Sequence, residues 1–554
     1  MREYALTDEQ FRSLAGGGGS PDAIGLLTEA QLSGRRLCLL AAAERRDYLP
    51  AALQDALSLV IEIDRASPHA GVDLLRYPFL SAWFTTLVPA LTGGRLEEPV
   101  AARAAEGLGS LAAAIAISAG LPFEIVVPCA GPDLVLPRIG TAIGVGPAQV
   151  PVQSDGTTVT IGEALELPVP GDENRAGWRP AHLVQLPGHT LEIVDADPLR
   201  DRFSAAPLNS LPPSGTARFD RLVREAWQIL DDEQPIHAAG MRIALRALVP
   251  LRAPAGASQV SASARGCFGA LGFSIPDDPQ TLAELMVHEF QHEKLGALLD
   301  LVDLCTAGGR ARYHAPWRPD PRPAEALMQG VYAFTAVAGF WRARRSRRDG
   351  ADFRYYSWRD QVNYALDQLL SSGELTPVGE VFFDALDATL ATWRDETPTP
   401  TAVRLYTAAA QVSWRLAHHR PEPADVATLA AAWAAGAAVP AFEPPTVVAG
   451  SASSELTELL KEQAAWGEAG RARATEAECA LLDGDHETAL RLVPFPDDDR
   501  EWTAAAVALH AHMGAAAFSY RRPELLRAVF DRLGDKGRRP GLTALHTWLS
   551  GQPA

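Results

Sequence analysis

His288-Glu289-Phe290-Gln291-His292 is the one stretch of this sequence whose residue types and spacing specify a chemistry. Two histidines at i and i+4 share a helical face, with Cβ atoms about 6 Å apart, so both imidazoles can reach one divalent ion. Glu289 sits about 100° around the helix from His288 and can face the outer shell of the same ion. With zinc this is peptidase chemistry: the histidines bind the metal and Glu289 takes the proton from a bound water. The metzincin extension is absent, because Leu295 and Leu298 stand where Gly and His are needed. A gluzincin needs a Glu on a later helix, and Glu325 fits that requirement. Asp300 is two turns past His292, about 12 Å along the axis, and is expected to be out of reach. No H-x-D, H-x-E, G-x-x-x-x-G-K, G-x-G-x-x-G or G-x-S-x-G occurs, so nucleotide-binding and serine-hydrolase motifs have no support.

The motif needs a helix, and its flanks supply one. Asp278 is placed to cap it and Pro279 to occupy its first position. Leu282, Leu285, Met286, Leu295, Leu298, Leu299 and Val302 give it an apolar stripe, predicting a helix from about Pro279 to Cys305. An edge-like strand, GALGFSIP, precedes it. A second helix is expected from Pro323 to Arg345, after a Pro- and Arg-rich loop. MRIALRALVPLR reads as a strand. LTDEQFRSLA opens on a Thr cap with capping-box spacing, and Gly16 to Ser20 end that helix.

The whole is expected to be α+β and predominantly helical, with the HExxH helix beside a small β section. The chain divides into an N-terminal helical region (1–121), a β-rich section (122–215) and a metal-binding core (216–345). A helical region (346–436), a linker (437–455) and a helical-hairpin C-terminal region (456–554) follow. The 554 residues carry 68 acidic and 50 Lys or Arg side chains, a net charge of -18, which excludes a general nucleic-acid binder. Five cysteines without C-x-x-C spacing read as reduced, buried thiols. The N-terminus has no signal-peptide core, and the longest uncharged stretch, near Gly107 to Phe123, is too interrupted to span a bilayer. A cytoplasmic protein without a membrane partner is expected.

Other residues have plainer readings. Asp195 and Asp197, in VDADPLRD, read as a turn and helix cap rather than a second metal pair. Trp317 is expected to pack, and His314, His418 and His419 to be packed or surface residues. Five arginines between Arg342 and Arg348 read as a solvated helix end; a dock for an acidic leader peptide is the sharper alternative.

Beyond the pentapeptide, LAELMVHEFQHEKLGALLDLVDL, YHAPWRPDPRP and MQGVYAFTAVAGFWR, with upstream LLRYPFLSAWF and HTLEIVDADPLRD, carry a resemblance. Over roughly residues 1–430 the chain resembles the H-E-x-x-H family of peptide-modification proteins from actinobacterial natural-product clusters. That family is described as 2-oxoglutarate-dependent, iron-containing peptide β-hydroxylases acting on ribosomally made precursor peptides. The resemblance implies that His288 and His292 bind Fe(II), with positions left open for 2-oxoglutarate and O₂. Glu325 is then the first candidate for a further ligand and Gln329, one turn later, the second. Arg318 or Arg322 is the candidate partner for the distal carboxylate of 2-oxoglutarate. Glu289 becomes an outer-shell hydrogen-bond partner or the missing oxygen ligand itself, the latter made awkward by its phase about 100° from His288. The expected partners are the precursor peptide and other enzymes of the same pathway. A zinc metallopeptidase that trims such a peptide, and a non-catalytic peptide-binding scaffold, are the alternatives.

Overall fold

The computed structural model describes residues 4–551 apart from 93–96, 164, 170–173, 209, 254–258, 307, 346–349, 397, 453–454, 467–470, 472, 515–517, 536 and 538. The chain is mixed α and β and mostly helical. It forms two compact units, residues 1–302 and 303–554. That division falls inside the stretch 216–345 expected as one core.

The first unit opens with helices. The first, Asp8–Ala15, has the capping box expected of Thr7, with Gln10 as its reciprocal partner. The Gly-rich turn after it uses left-handed backbone at Gly17 and Gly19, φ 89° and 84°, a conformation that costs glycine nothing. The helix Glu98–Ser118 is long and apolar enough to cross a bilayer, but 78% of its most apolar window is buried. It is a core helix, packed on the strand Phe123–Cys129. That strand belongs to a four-stranded antiparallel sheet, and a three-stranded sheet lies nearby in sequence.

A five-stranded mixed sheet positions the motif. Its order is Ser261–Ala262, Ala270–Phe273, Ala247–Pro250, His189–Ile193, His182–Leu186. Ala247–Pro250 is parallel to both its neighbours. It and Ala270–Phe273 are buried at every position, as strands covered on both faces must be. The strand preceding the motif is therefore interior, not an edge: the edge is Ser261–Ala262. MRIALRALVPLR is half helix, because the helix Pro235–Ala244 runs through its first residues and only Ala247–Pro250 is strand. A short apolar run does not distinguish a helix end from a buried strand.

The HExxH helix spans Pro279–Leu299. Asp278 caps it by accepting from the Thr281 N–H at 2.9 Å. It stops six residues before Cys305, where Asp300 ends it. The Asp300 carboxylate is taken by Arg265 and Gln31, each at 2.9 Å.

The second unit is a stack of helices. The helix Ala324–Arg344 begins after Pro323, as expected, and packs along Ala351–Leu370. Pro377–Arg394 and Thr401–His418 follow. Within 437–455, Thr446–Val447 pairs with His419–Arg420. In the C-terminal region the helices Glu476–Leu482 and His486–Leu492 pack on each other.

Candidate metal centre

The HExxH helix is not a one-sided amphipathic helix. Gln291, Glu293 and Lys294 are buried along with Leu282, Met286, Phe290 and Leu298. Gly240 lets the helix Pro235–Ala244 approach the Phe290 ring, which a Cβ there would meet at 3.0 Å.

Gln291, Glu293 and Lys294 each have a partner. Gln291 Nε2 donates to the Gly17 carbonyl at 2.9 Å. Lys294 Nζ donates to Gly17 and Gly18 carbonyls at 3.0 and 2.6 Å. Glu293 accepts from the Gly269 N–H at 2.7 Å. Burial pushes the Glu293 carboxyl up to about 8, against the opposing pull of that N–H and of Arg35. Burial alone pulls the Lys294 ammonium down to about 7. Arg35 is itself buried and donates to the carbonyls of Leu75, Pro78 and Phe268.

On the remaining face His288 and His292 converge. Their Nε2 atoms lie 3.2 Å apart, with ring planes at 79°. Two metal–nitrogen bonds of about 2.1 Å to a shared ion close such a span at an angle of about 100°, between the tetrahedral and octahedral values. The pair therefore fits one divalent ion. Both histidines are partly exposed. Glu289 lies beside His288: its Oε1 is 3.9 Å from His288 Nε2 and accepts from Ser261 Oγ at 2.6 Å. Its side chain is 5% exposed. Ser261 is on the edge strand, so the sheet's edge and the motif meet through one hydrogen bond. Among the described residues, no group of three or more His, Cys, Asp or Glu side chains is placed to hold a metal ion.

The sequence matches no protein-family model and no curated protein.

The other candidates lie in the second unit. Glu325 is in the first turn of Ala324–Arg344 and is exposed; Gln329, one turn on, is partly buried. Arg318 is exposed in the preceding loop, its N–H bonded to the Ala315 carbonyl at 2.8 Å. Arg322 pairs with Asp320 at 2.9 Å, and its backbone forms a bridge with Tyr313. Trp317 packs, as expected: it stacks on Phe334 at 4.8 Å, and Phe334 stacks on Trp358 at 4.3 Å. A Cβ at Gly330 would fall on the Trp317 ring. The P-W-R and Q-G-V-Y-A-F segments are thus two halves of one packing unit.

His314 is buried, stacked on Trp414 at 4.3 Å, and its backbone is bracketed by Gln368. His418 and His419 pack against the same Trp414. Asp197 caps the turn Pro198–Arg200 by accepting from the Leu199 N–H, and Asp195 accepts from Arg179 and the Leu211 N–H. The arginine run is less solvated than expected: Arg342 and Arg345 both pair with Glu396, and Arg344 is buried over the Phe340 ring. Arg347 and Arg348 lie outside the described residues.

Ser261, Gln291, Glu293 and Lys294 were not legible as site-supporting residues. Their partners are far away in sequence, and no local spacing signals them.

Proposed function

We propose that this chain is a metal-dependent peptide-modifying enzyme of the cytoplasm. In this reading it holds Fe(II) through His288 and His292 and hydroxylates the β-carbon of a side chain in a ribosomally made precursor peptide. The observation that carries the metal is the convergence of the two Nε2 atoms at 3.2 Å on one helix. The choice of iron and 2-oxoglutarate rests on the resemblance carried by the H-E-x-x-H, P-W-R-x-D-P-R-P and Q-G-V-Y-A-F segments.

Bound Fe(II) with 2-oxoglutarate supplies the oxidising chemistry that an unactivated C–H bond requires. The protein's own contribution is positional. His288 and His292 present two neutral nitrogens from a helix whose rotation is fixed by buried polar contacts. Glu289, held by Ser261, lies beside His288. Glu325 or Gln329 is the candidate for a further ligand, and Arg318 or Arg322 for the co-substrate's distal carboxylate. The edge strand Ser261–Ala262 offers backbone groups that an extended peptide can pair with.

A zinc metallopeptidase is the second reading. The proximity of a buried carboxylate to His288, 3.9 Å, is what favours it. Anaerobic titration with Fe(II) and 2-oxoglutarate, read by visible absorption, separates the two. The oxygenase reading expects a metal-to-ligand charge-transfer band, lost in His288→Ala and His292→Ala, and O₂-dependent succinate formation. Tight zinc binding with no such band, and cleavage of a peptide without oxygen, would overturn it.

A further inference from the structure

A cleft of about 640 Å³ lies entirely within the first unit. Such a volume suits a small molecule. Four of its lining residues are Arg76, Arg138, Arg242 and Arg246, gathered in a chain of net charge -18. Two carboxylates, Asp73 and Glu192, line the cleft beside these four guanidinium groups, which leaves cations in excess. Arg242 pairs with Asp231 at 2.5 Å, outside the lining. Among the described residues, Arg76 pairs only with Asp73, in an exposed contact at 3.7 Å.

Arg246 is fixed in place by donating to the Leu245 and Ile243 carbonyls at 2.7 and 3.1 Å. Burial and the nearby Arg76 and Arg138 charges pull it down to about 10. Crowding cations in this way is unfavourable without a counter-ion. Arg138 carries a second peculiarity. It is the one non-glycine residue with positive φ, 63°, among the described residues. Its N–H donates to Glu192 Oε1 at 3.1 Å, and its guanidinium makes no hydrogen bond among them. Backbone strain of this kind concentrates where ligands bind. His189 completes the wall: its ring stacks on Trp227, and its Nε2 is buried without a hydrogen-bond partner among the described residues.

We propose that this cleft binds a phosphorylated small molecule, with the phosphate between Arg76, Arg138 and Arg246. Three guanidinium groups from three separate segments outnumber what the two oxygens of one carboxylate can satisfy. A phosphate brings three acceptor oxygens and close to two charges. Leu111 and Ile115 in the lining give the organic remainder an apolar contact. The site is independent of the histidine pair.

The test is calorimetric titration of the full chain with phenyl phosphate, and with glutarate as a dicarboxylate of comparable size. Saturable one-to-one binding of phenyl phosphate, weakened by salt, is expected. Arg138→Asn should reduce the affinity about 10- to 100-fold, the effect of losing a hydrogen bond to a charged group. Asn tolerates the left-handed backbone, so this variant keeps the fold; Arg76→Gln, at an exposed position, is the second variant. Arg473→Gln, in the other unit, should change nothing. No saturable phenyl phosphate binding, binding unaltered in both cleft variants, or tighter binding of glutarate would each overturn the proposal.

Discussion

Ser261→Ala removes the only side-chain hydrogen-bond donor that Glu289 has among the described residues. The bond is short, 2.6 Å, and the Glu289 side chain is only 5% exposed, so water cannot fully replace the lost hydroxyl. A hydrogen bond to a charged group contributes about 1.5–3 kcal/mol, and a neutral one about 0.5–1.5 kcal/mol. Ser261→Ala is therefore expected to lower stability by about 1.5–3 kcal/mol. The same substitution in a Glu289→Gln background, where the acceptor is a neutral amide oxygen, should cost about 1 kcal/mol less. Urea unfolding of the four proteins of this cycle gives the coupling directly. The same variants report on the chemistry. Losing a general base costs about 100- to 10,000-fold in rate, whereas an outer-shell carboxylate replaced by its amide leaves hydroxylation and metal binding measurable. If Ser261→Ala were as stable as the parent, or cost the same in both backgrounds, the hydrogen bond would not be what anchors Glu289.

Two further outcomes are expected. His546 is 1% exposed and burial pulls its imidazole down to about 4. The unfolded chain then binds more protons than the folded one between about pH 4 and 6.5, so this group costs stability as pH falls through that window, by about 3 kcal/mol in all. His546→Leu should flatten that slope in pH-dependent unfolding curves; an unchanged slope would remove His546 as its source. Gly330→Ala should lower stability despite the roughly 1 kcal/mol that Ala returns in helix propensity, because its Cβ displaces Trp317 and overpacking costs about 1–3 kcal/mol. Denaturation with tryptophan fluorescence as the readout checks it, and a variant more stable than the parent would contradict the packing described.

What was legible in the sequence was whatever is written locally. Asp278 and Pro279 mark the start of the HExxH helix because a cap and a fixed φ act within one turn. Pro323 marks the next helix for the same reason, and Asp197 caps its turn where the residue order says it should. What was missed is non-local. Lys294, in a helix and beside a glutamate, has the look of a solvated side chain, yet it is 1% exposed. Its acceptors are carbonyls that the glycine-rich turn frees some 276 residues earlier in the chain. The interior position of Ala270–Phe273 was hidden in the same way, since its edge neighbour Ser261–Ala262 is only two residues long. The arginine cleft draws on positions 76, 138, 242 and 246, and only the last two are close enough in sequence to suggest a group.

These long-range contacts bear on what the motif can do. A helix that presents two imidazoles to one ion must be fixed in rotation, because a turn of about 100°, one residue's worth, swings both nitrogens away. An apolar stripe resists such a rotation weakly, since this helix is apolar on several sides and repacking is tolerated. Directional bonds resist it strongly. Gln291 and Lys294 are tied to Gly17 and Gly18, Glu293 to the Gly269 N–H, and Glu289 to Ser261. These anchors come from the N-terminal turn and from both ends of the hairpin-like segment between Ser261 and Gly269, so they hold the helix on two sides. The orientation of His288 and His292 is thereby tied to residues far from them in sequence. The histidines have little orientational freedom left to lose when a ligand arrives, which is the condition for a preorganised site.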